Sequence, residues 1–474
     1  MERRRFLSRS ATVAAGTALA TGPFQGVAAC MENGRTPRPR QAYGPLRPVA
    51  DARDGEVRLH LPEGFRYRSF NPAGSPLGDG TVTPGRHDGM AAFPGPRGSV
   101  ILVRNHEVNG PVGAFGDPDR AYDPAAGGGT CTLRVTPHGK VLASHVSLNG
   151  TQMNCSGGPM PWGSWITCEE TVNGPDVGND FTGADNTLLR QKHGYIFEVP
   201  AHGRGRARPI RSAGRFAHEA AAFDARSGAV YLTEDNFGFA SGFYRYLPPK
   251  HPMRAGRLLD GGRLQMLAVR GRPGADLSVG QPRNAVYETT WVDIDDPDPE
   301  FTGRPANDVA IRAVGDQGRA QGAAVFSRLE GAVAHRGVVY FVSTQGGAPV
   351  TQPVPSGFGD GRGQVWAYDT RGGRLRLVAE SPGEAHLDLP DNITQGPRGT
   401  LVLCEDGDGD NLLRGLTRRG ELFDFARLEP VAGDPGAEFA GSTFAPGGET
   451  LFVNVQSRAG VSFAIWGPWR RGPF

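Results

Sequence analysis

HDGMAAFPGPRGSVILVRNHE, residues 87–107, sets a pattern that the chain repeats five more times. A polar or acidic residue opens it. A small apolar patch, a glycine-containing turn and a β-rich run follow, and acidic or amide residues close it. The other copies are NCSGGPMPWGSWITCEE (154–170), AHEAAAFDARSGAVYLTED (217–235), RLEGAVAHRGVVYFVSTQ (328–345), PDNITQGPRGTLVLCED (390–406) and EFAGSTFAPGGETLFVNVQ (438–456). Each reads as a hairpin. A short aromatic or β-branched strand follows each copy: TCTLRVTP (130–137), GYIFEVP (194–200), GFYRYLP (242–248), GQVWAYD (363–369), ELFDFAR (421–427) and FAIWGPW (463–469). A hairpin plus outer strands, repeated in this way, predicts an all-β fold, a six-bladed β-propeller. The longer gap from 235 to 328 predicts an insertion between the third and fourth repeats.

Composition agrees. Gly (70) and Pro (39) make up 23% of the 474 residues, against about 12% in an average protein. Helix bundles tolerate neither residue well. The formal charge is only +2, which predicts no nucleic-acid-binding patch. No apolar run after the N-terminus is long enough to span a membrane.

The N-terminus reads as an address. Arg3-Arg4-Arg5-Phe6-Leu7 and the apolar stretch 11–20 predict a twin-arginine signal over 1–29 and a periplasmic, extracellular or cell-surface destination. Cleavage after Ala29 is the preferred reading. Val27-Ala28-Ala29-Cys30 also resembles a lipobox, in which Cys30 would carry a lipid anchor. Residues 30–54 read as a flexible lead-in, 55–474 as the propeller, and the molecule as a monomer. Cys131, Cys155, Cys168 and Cys404 remain in the mature chain. Export would allow disulfides, but no CxxC spacing points to a zinc knuckle.

In a propeller the innermost strands line a central channel. The residues opening the repeats would gather at one mouth: His87/Asp88, Asn154, His218/Glu219, Arg328/Glu330, Asp391/Asn392 and Glu438. Carboxylates brought to one axis repel each other unless cations lie between them. The strand ends add Asn105-His106-Glu107, Cys168-Glu169-Glu170, Glu234-Asp235 and Glu405-Asp406. Carboxylates and amides suit calcium, and a thiolate suits a redox-active metal such as iron. Cys155, beside turn glycines, reads as packing, and Cys404 reads as buried wall. GxSxG, GxxxxGK[ST] and HExxH are all absent from the sequence, which removes the serine-hydrolase, P-loop and zincin chemistries. The run 406–410 reads as a local acidic turn rather than an EF-hand loop.

PWGSWITCEE followed by HGYIFEV, together with RNHE, GRFAHE, YLTED, GFYRY, RLEG and GQVWAYD, resembles the PhoX-type alkaline phosphatases from about residue 104 to the C-terminus. The resemblance implies a secreted phosphatase that acts on phosphate esters, chiefly monoesters, with iron (Fe3+) and calcium (Ca2+) at its centre. It implies that Cys168 ligates iron, that Glu219 and Glu330 bridge metals, with Glu234 competing with Glu219, and that Arg328 grips the phosphoryl oxygens. Cys168, Arg328 and Glu330 are then the catalytic set. Asn105, Glu169, Asp391, Asn392 and Glu405 fall where further metal or substrate ligands are expected. Two alternatives stay open on the residues alone. One is a calcium-dependent lactonase with His106 or His218 as base; the other is a non-catalytic binding propeller.

Overall fold

The computed structural model describes residues 42–250, 257–350, 356–407 and 409–474. The signal segment and Cys30 lie outside the described residues. The fold is all-β and propeller-like. Each repeat opens on an inner strand: His87–Pro94, Asn154–Met160, His218–Phe223, Leu329–His335, Pro390–Gln395 and Glu438–Phe444. Each inner strand lies beside the next, and the last lies beside the first.

The sheets run outward from these strands. The first repeat forms a four-stranded sheet, the second a three-stranded one, and the fifth a six-stranded one that takes in Arg47–Ala50 and Val57–Leu61. The sixth is completed by Arg66–Phe70 from the N-terminal side, which pairs with Val461–Trp466. Both ends of the propeller-like domain are therefore held in sheets. Residues 42–54, expected as part of a flexible lead-in, are built into the fold. Arg47–Ala50 pairs with Val57–Leu61, and Tyr43 packs against Phe65, Phe425 and Phe474.

The third and fourth repeats do not form separate sheets. They share one of nine strands. The insertion supplies Arg263–Val269 and Val286–Asp293, and Val286–Glu288 pairs with Arg374–Arg376 on the outer edge of the fourth repeat. Two short helices, Asn307–Ala310 and Ala313–Ala320, also come from the insertion.

The core lies between consecutive sheets. Successive side chains of a strand point to opposite faces, and Val100–His106 shows the consequence. Val100 and Leu102 join a cluster with Phe452 and Ala464 of the sixth repeat. Ile101 and Val103 join Trp165 and Phe197 of the second. Both faces are covered, so the strand is apolar at every position until it nears the axis. There Arg104, Asn105 and His106 take over.

Candidate metal and phosphate site

One local device recurs in all six inner strands. Between His87 and Met90 the inner strand advances three residues while its partner, His106 to Arg104, advances two. The same shift occurs at Asn154–Gly157, His218–Ala221, Leu329–Ala332, Pro390–Ile393 and Ala440–Thr443. Each is a β-bulge, which bends the strand and re-aims a side chain. The first bulge residues are Asp88, Cys155, Glu219, Glu330, Asp391 and Gly441. The second are small or short: Gly89, Ser156, Ala220, Gly331, Asn392 and Ser442. Space requires this. A Cβ on Gly89 would lie 2.6 Å from the Cys155 carbonyl oxygen, and one on Gly331 would lie 2.8 Å from that of Asp391.

Two groups of ligand-type side chains result. Cys155, Glu170 and Glu219 form one, and Glu219, Glu330 and Asp391 form the other; in each, the ligand atoms lie within 4.8 Å of one another. Glu219 belongs to both. Glu107, Asp235, Asp406 and Glu438 add charge around them. Burial pushes the carboxyl of Asp88 far above its ordinary range, and Glu219, Asp391 and Glu107 push it further. Burial and the Asp391 charge do the same to Glu219. Burial with Asp235 does it to Glu330 and Glu170, and burial with Asp406 does it to Glu438. Asp391 is raised to about 8, by burial and then by Asp406. Burial, Glu219 and Glu170 raise the Cys155 thiol. Guanidinium groups oppose this charge at Arg328 and at Arg86, which pairs with Glu107. Such a cluster needs cations or protons to exist.

Several expected ligands face elsewhere, for one reason. At the three strand ends that carry two adjacent acids, the first acid is bonded within the sheet and the second adds to the axial charge. Glu169 accepts Gln152 N–H (2.9 Å), His193 Nδ1 (2.6 Å) and the Gly194 and Tyr195 amides (2.9 and 3.1 Å). Glu234 accepts Gly242 N–H (2.8 Å) and the Tyr244 hydroxyl (2.9 Å). Glu405 accepts Asp388 N–H and Arg414 Nε, both at 2.8 Å. These three tie down neighbouring chain on both sides of them in sequence. Their neighbours Glu170, Asp235 and Asp406 belong to the axial charge.

Cys168 lies opposite Ile196 in the sheet and is buried in the same cluster as Cys155, with Ile166, Ile196 and Phe216; burial and then the Glu219 and Glu169 charges raise its thiol, and it belongs to neither ligand group. Cys155, expected to be packing, is the cysteine that falls in a ligand group, with Glu170 and Glu219. Cys404 is buried among Val402, Leu413 and Phe439, and all four cysteines described are free thiols. Asn105 acts as a brace. Its Oδ1 accepts Trp165 Nε1 and Thr167 Oγ1 at 2.9 Å, and its Nδ2 donates to the Cys155 and Ser156 carbonyls at 2.9 and 2.8 Å. Asn392 Nδ2 donates to Ser156 Oγ at 3.1 Å.

Arg328 and Glu330 are not brought together by regular extended backbone. Arg328 has φ +37°, a conformation that costs a non-glycine residue about 1–3 kcal/mol. The turn brings Arg328 Nη2 to Glu330 Oε1 (2.9 Å) and to Asp235 Oδ2 (2.9 Å), with Nε also on Asp235. Nη1 makes no hydrogen bond among the described residues. Candidate histidine bases are engaged differently: His106 Nδ1 lies 3.0 Å from the Gly85 carbonyl and His218 Nε2 lies 2.9 Å from that of Gly214. Burial lowers His218 to about 3.

The profile of the alkaline phosphatase PhoX family matches residues 42–140 and 116–459. Among curated proteins no sequence matches. The chain is similar to Pseudomonas fluorescens PhoX, solved in complex with vanadate, a transition-state analogue. Identity is 18% over 90% of this chain and 98% of that one, with a TM-score of 0.61. A gluconolactonase from Xanthomonas campestris aligns over 91% of this chain and 100% of its own at 13% identity and a TM-score of 0.38. A streptogramin B lyase aligns over 85% and 98% at 12% identity and 0.39. With its six bulged inner strands, its crowded axial acids and a profile match over most of its length, this chain belongs to the alkaline phosphatase PhoX family and is a phosphatase.

Proposed function

We propose that the chain hydrolyses phosphate monoesters to an alcohol and inorganic phosphate, at a mixed iron and calcium centre in the bulge ring. The observation that carries this is the pair of ligand groups sharing Glu219, set beside an arginine, Arg328, whose Nη1 makes no hydrogen bond among the described residues. The donor chemistry fits the ions. Cys155, Glu170 and Glu219 combine a thiolate with carboxylates, which suits iron. Glu219, Glu330 and Asp391 offer oxygen alone, which suits calcium. When bound, such cations neutralise the phosphoryl charge and activate the attacking oxygen.

The chain's own residues do the rest. Asp235 and Glu330 fix Nε and Nη2 of Arg328, leaving Nη1 to donate to a phosphoryl oxygen. Asn105 holds the Cys155 bulge in place. Six bulged inner strands support a six-bladed propeller, with the third and fourth blades joined along their outer edges. Export by the twin-arginine route to the periplasm or cell surface completes the reading. A lactonase would need a free histidine base, and the carbonyl contacts of His106 and His218 weigh against that.

Removing the metals is the test. Protein purified without a tag should contain iron and calcium by elemental analysis and release phosphate from phenyl phosphate. A strong chelator should abolish release, and adding both ions back should restore it. Full turnover in chelated, metal-free protein would contradict the proposal.

A further inference from the structure

We propose that the esters accepted at this centre carry aromatic or otherwise apolar alcohol groups, and that Phe237 selects them; this rests on the phosphatase reading above. Three segments converge on Arg328. Ala240–Ser241 pairs with Phe326–Ser327. The Ser327 hydroxyl donates to the Phe358 carbonyl, and the Phe358 amide donates to the Phe237 carbonyl at 2.7 Å. These bonds hold Phe237 against the arginine, and the guanidinium carbon lies 5.0 Å from the ring centroid.

Phe237 stays 50% exposed, although Asp235 and Asn236, just before it, are buried at 3% and 1%. A lone exposed phenylalanine is unremarkable on a protein surface. This one is pinned over a buried ion pair at the mouth of a charged site, and half-buried Phe358 lies beside it. One side of the ring faces the guanidinium, and the exposed part is left to solvent. Arg328 Nε and Nη2 are taken by Asp235 and Glu330, so a phosphoryl group reaches the guanidinium through Nη1. The alcohol group of an ester held there lies within reach of the exposed phenyl surface. An aromatic alcohol would cover that surface and stack on it, an interaction a polyol cannot make.

Phosphonates separate binding of the head group from cleavage of the ester. Phenylphosphonate and methylphosphonate carry the same head and have no ester bond to hydrolyse. With the metal-loaded enzyme, phenylphosphonate should inhibit about tenfold more tightly than methylphosphonate, the order expected for one aromatic contact. In Phe237→Ala that ratio should fall close to one, and in Phe237→Leu it should fall part of the way. Inhibition by inorganic phosphate should not change in either variant. A ratio unchanged in Phe237→Ala would overturn the inference. So would equal weakening of phosphate and both phosphonates, because Phe237 would then only prop Arg328. Wild-type protein that released phosphate from no ester would overturn the phosphatase reading as well. An active wild type with an unmoved ratio would overturn only this inference.

Discussion

Glu219→Gln will leave the centre unable to hold its metals and will lower phosphate-ester turnover about 10³-fold or more, the size of several kcal/mol of lost charge stabilisation. Glu219 is the side chain common to both ligand groups. A carboxylate can offer an oxygen to each of two cations. The neutral amide of glutamine is a weaker donor and cannot replace it as a bridge. The substitution is nearly isosteric, so the bulge beside Ala220 is not overfilled. Without metal the sign of the stability effect reverses. Burial and Asp391 push the Glu219 carboxyl upward, so its ionised form costs folding energy at neutral pH. Metal-free Glu219→Gln should therefore melt higher than metal-free wild type, while the metal-loaded comparison runs the other way. Elemental analysis and melting curves with and without chelator check both halves.

Arg328→Lys should keep its metals and lose about 10²–10³-fold in turnover, as is typical when one preorganised donor to the transition state is removed. The guanidinium meets Asp235 at two nitrogens and Glu330 at one, and still has Nη1 to offer. An ammonium is a point charge and cannot serve both carboxylates and a phosphoryl oxygen from one plane. Lysine pays the same backbone cost at φ +37° as arginine, so the loss comes from the head group. Steady-state kinetics on metal-quantified protein reads it. Turnover within twofold of wild type would place the phosphoryl contact elsewhere.

Much of this was legible in the sequence, and the differences at the strand ends have a common physical origin. The six repeats and their strand pattern give the propeller-like fold. Acids at the repeat openings point to a crowded axis. Three strand ends, however, carry two adjacent acids: Glu169-Glu170, Glu234-Asp235 and Glu405-Asp406. A strand turns successive side chains to opposite faces, so one member of each pair reaches the axis and the other caps backbone amides. Composition cannot choose between them. The bulges settle the phase, and a bulge is visible only in the pairing.

Cys155 did leave a signal. Aligned by the residue that opens each bulge, it falls in register with Asp88, Glu219, Glu330 and Asp391. The glycines that follow it suggested packing instead. The nine-stranded sheet was not legible, because Val286–Glu288 finds its partner Arg374–Arg376 through tertiary contact across the insertion. The ordering of residues 42–54 likewise depends on Tyr43 meeting aromatic residues from the C-terminal part of the chain.

Placement of the metal centre in the bulge ring is tested most directly by iron content in two cysteine variants, prepared identically and checked for fold by circular dichroism. Serine oxygen is a poor substitute for a thiolate toward iron. Cys155→Ser should therefore lose at least about tenfold in iron occupancy, with phosphate release falling in proportion, the lower bound for losing a direct ligand given what outer contacts alone are worth. Cys168→Ser, which changes a thiol that belongs to neither ligand group, should keep its iron. Iron lost from Cys168→Ser and retained in Cys155→Ser would contradict the account.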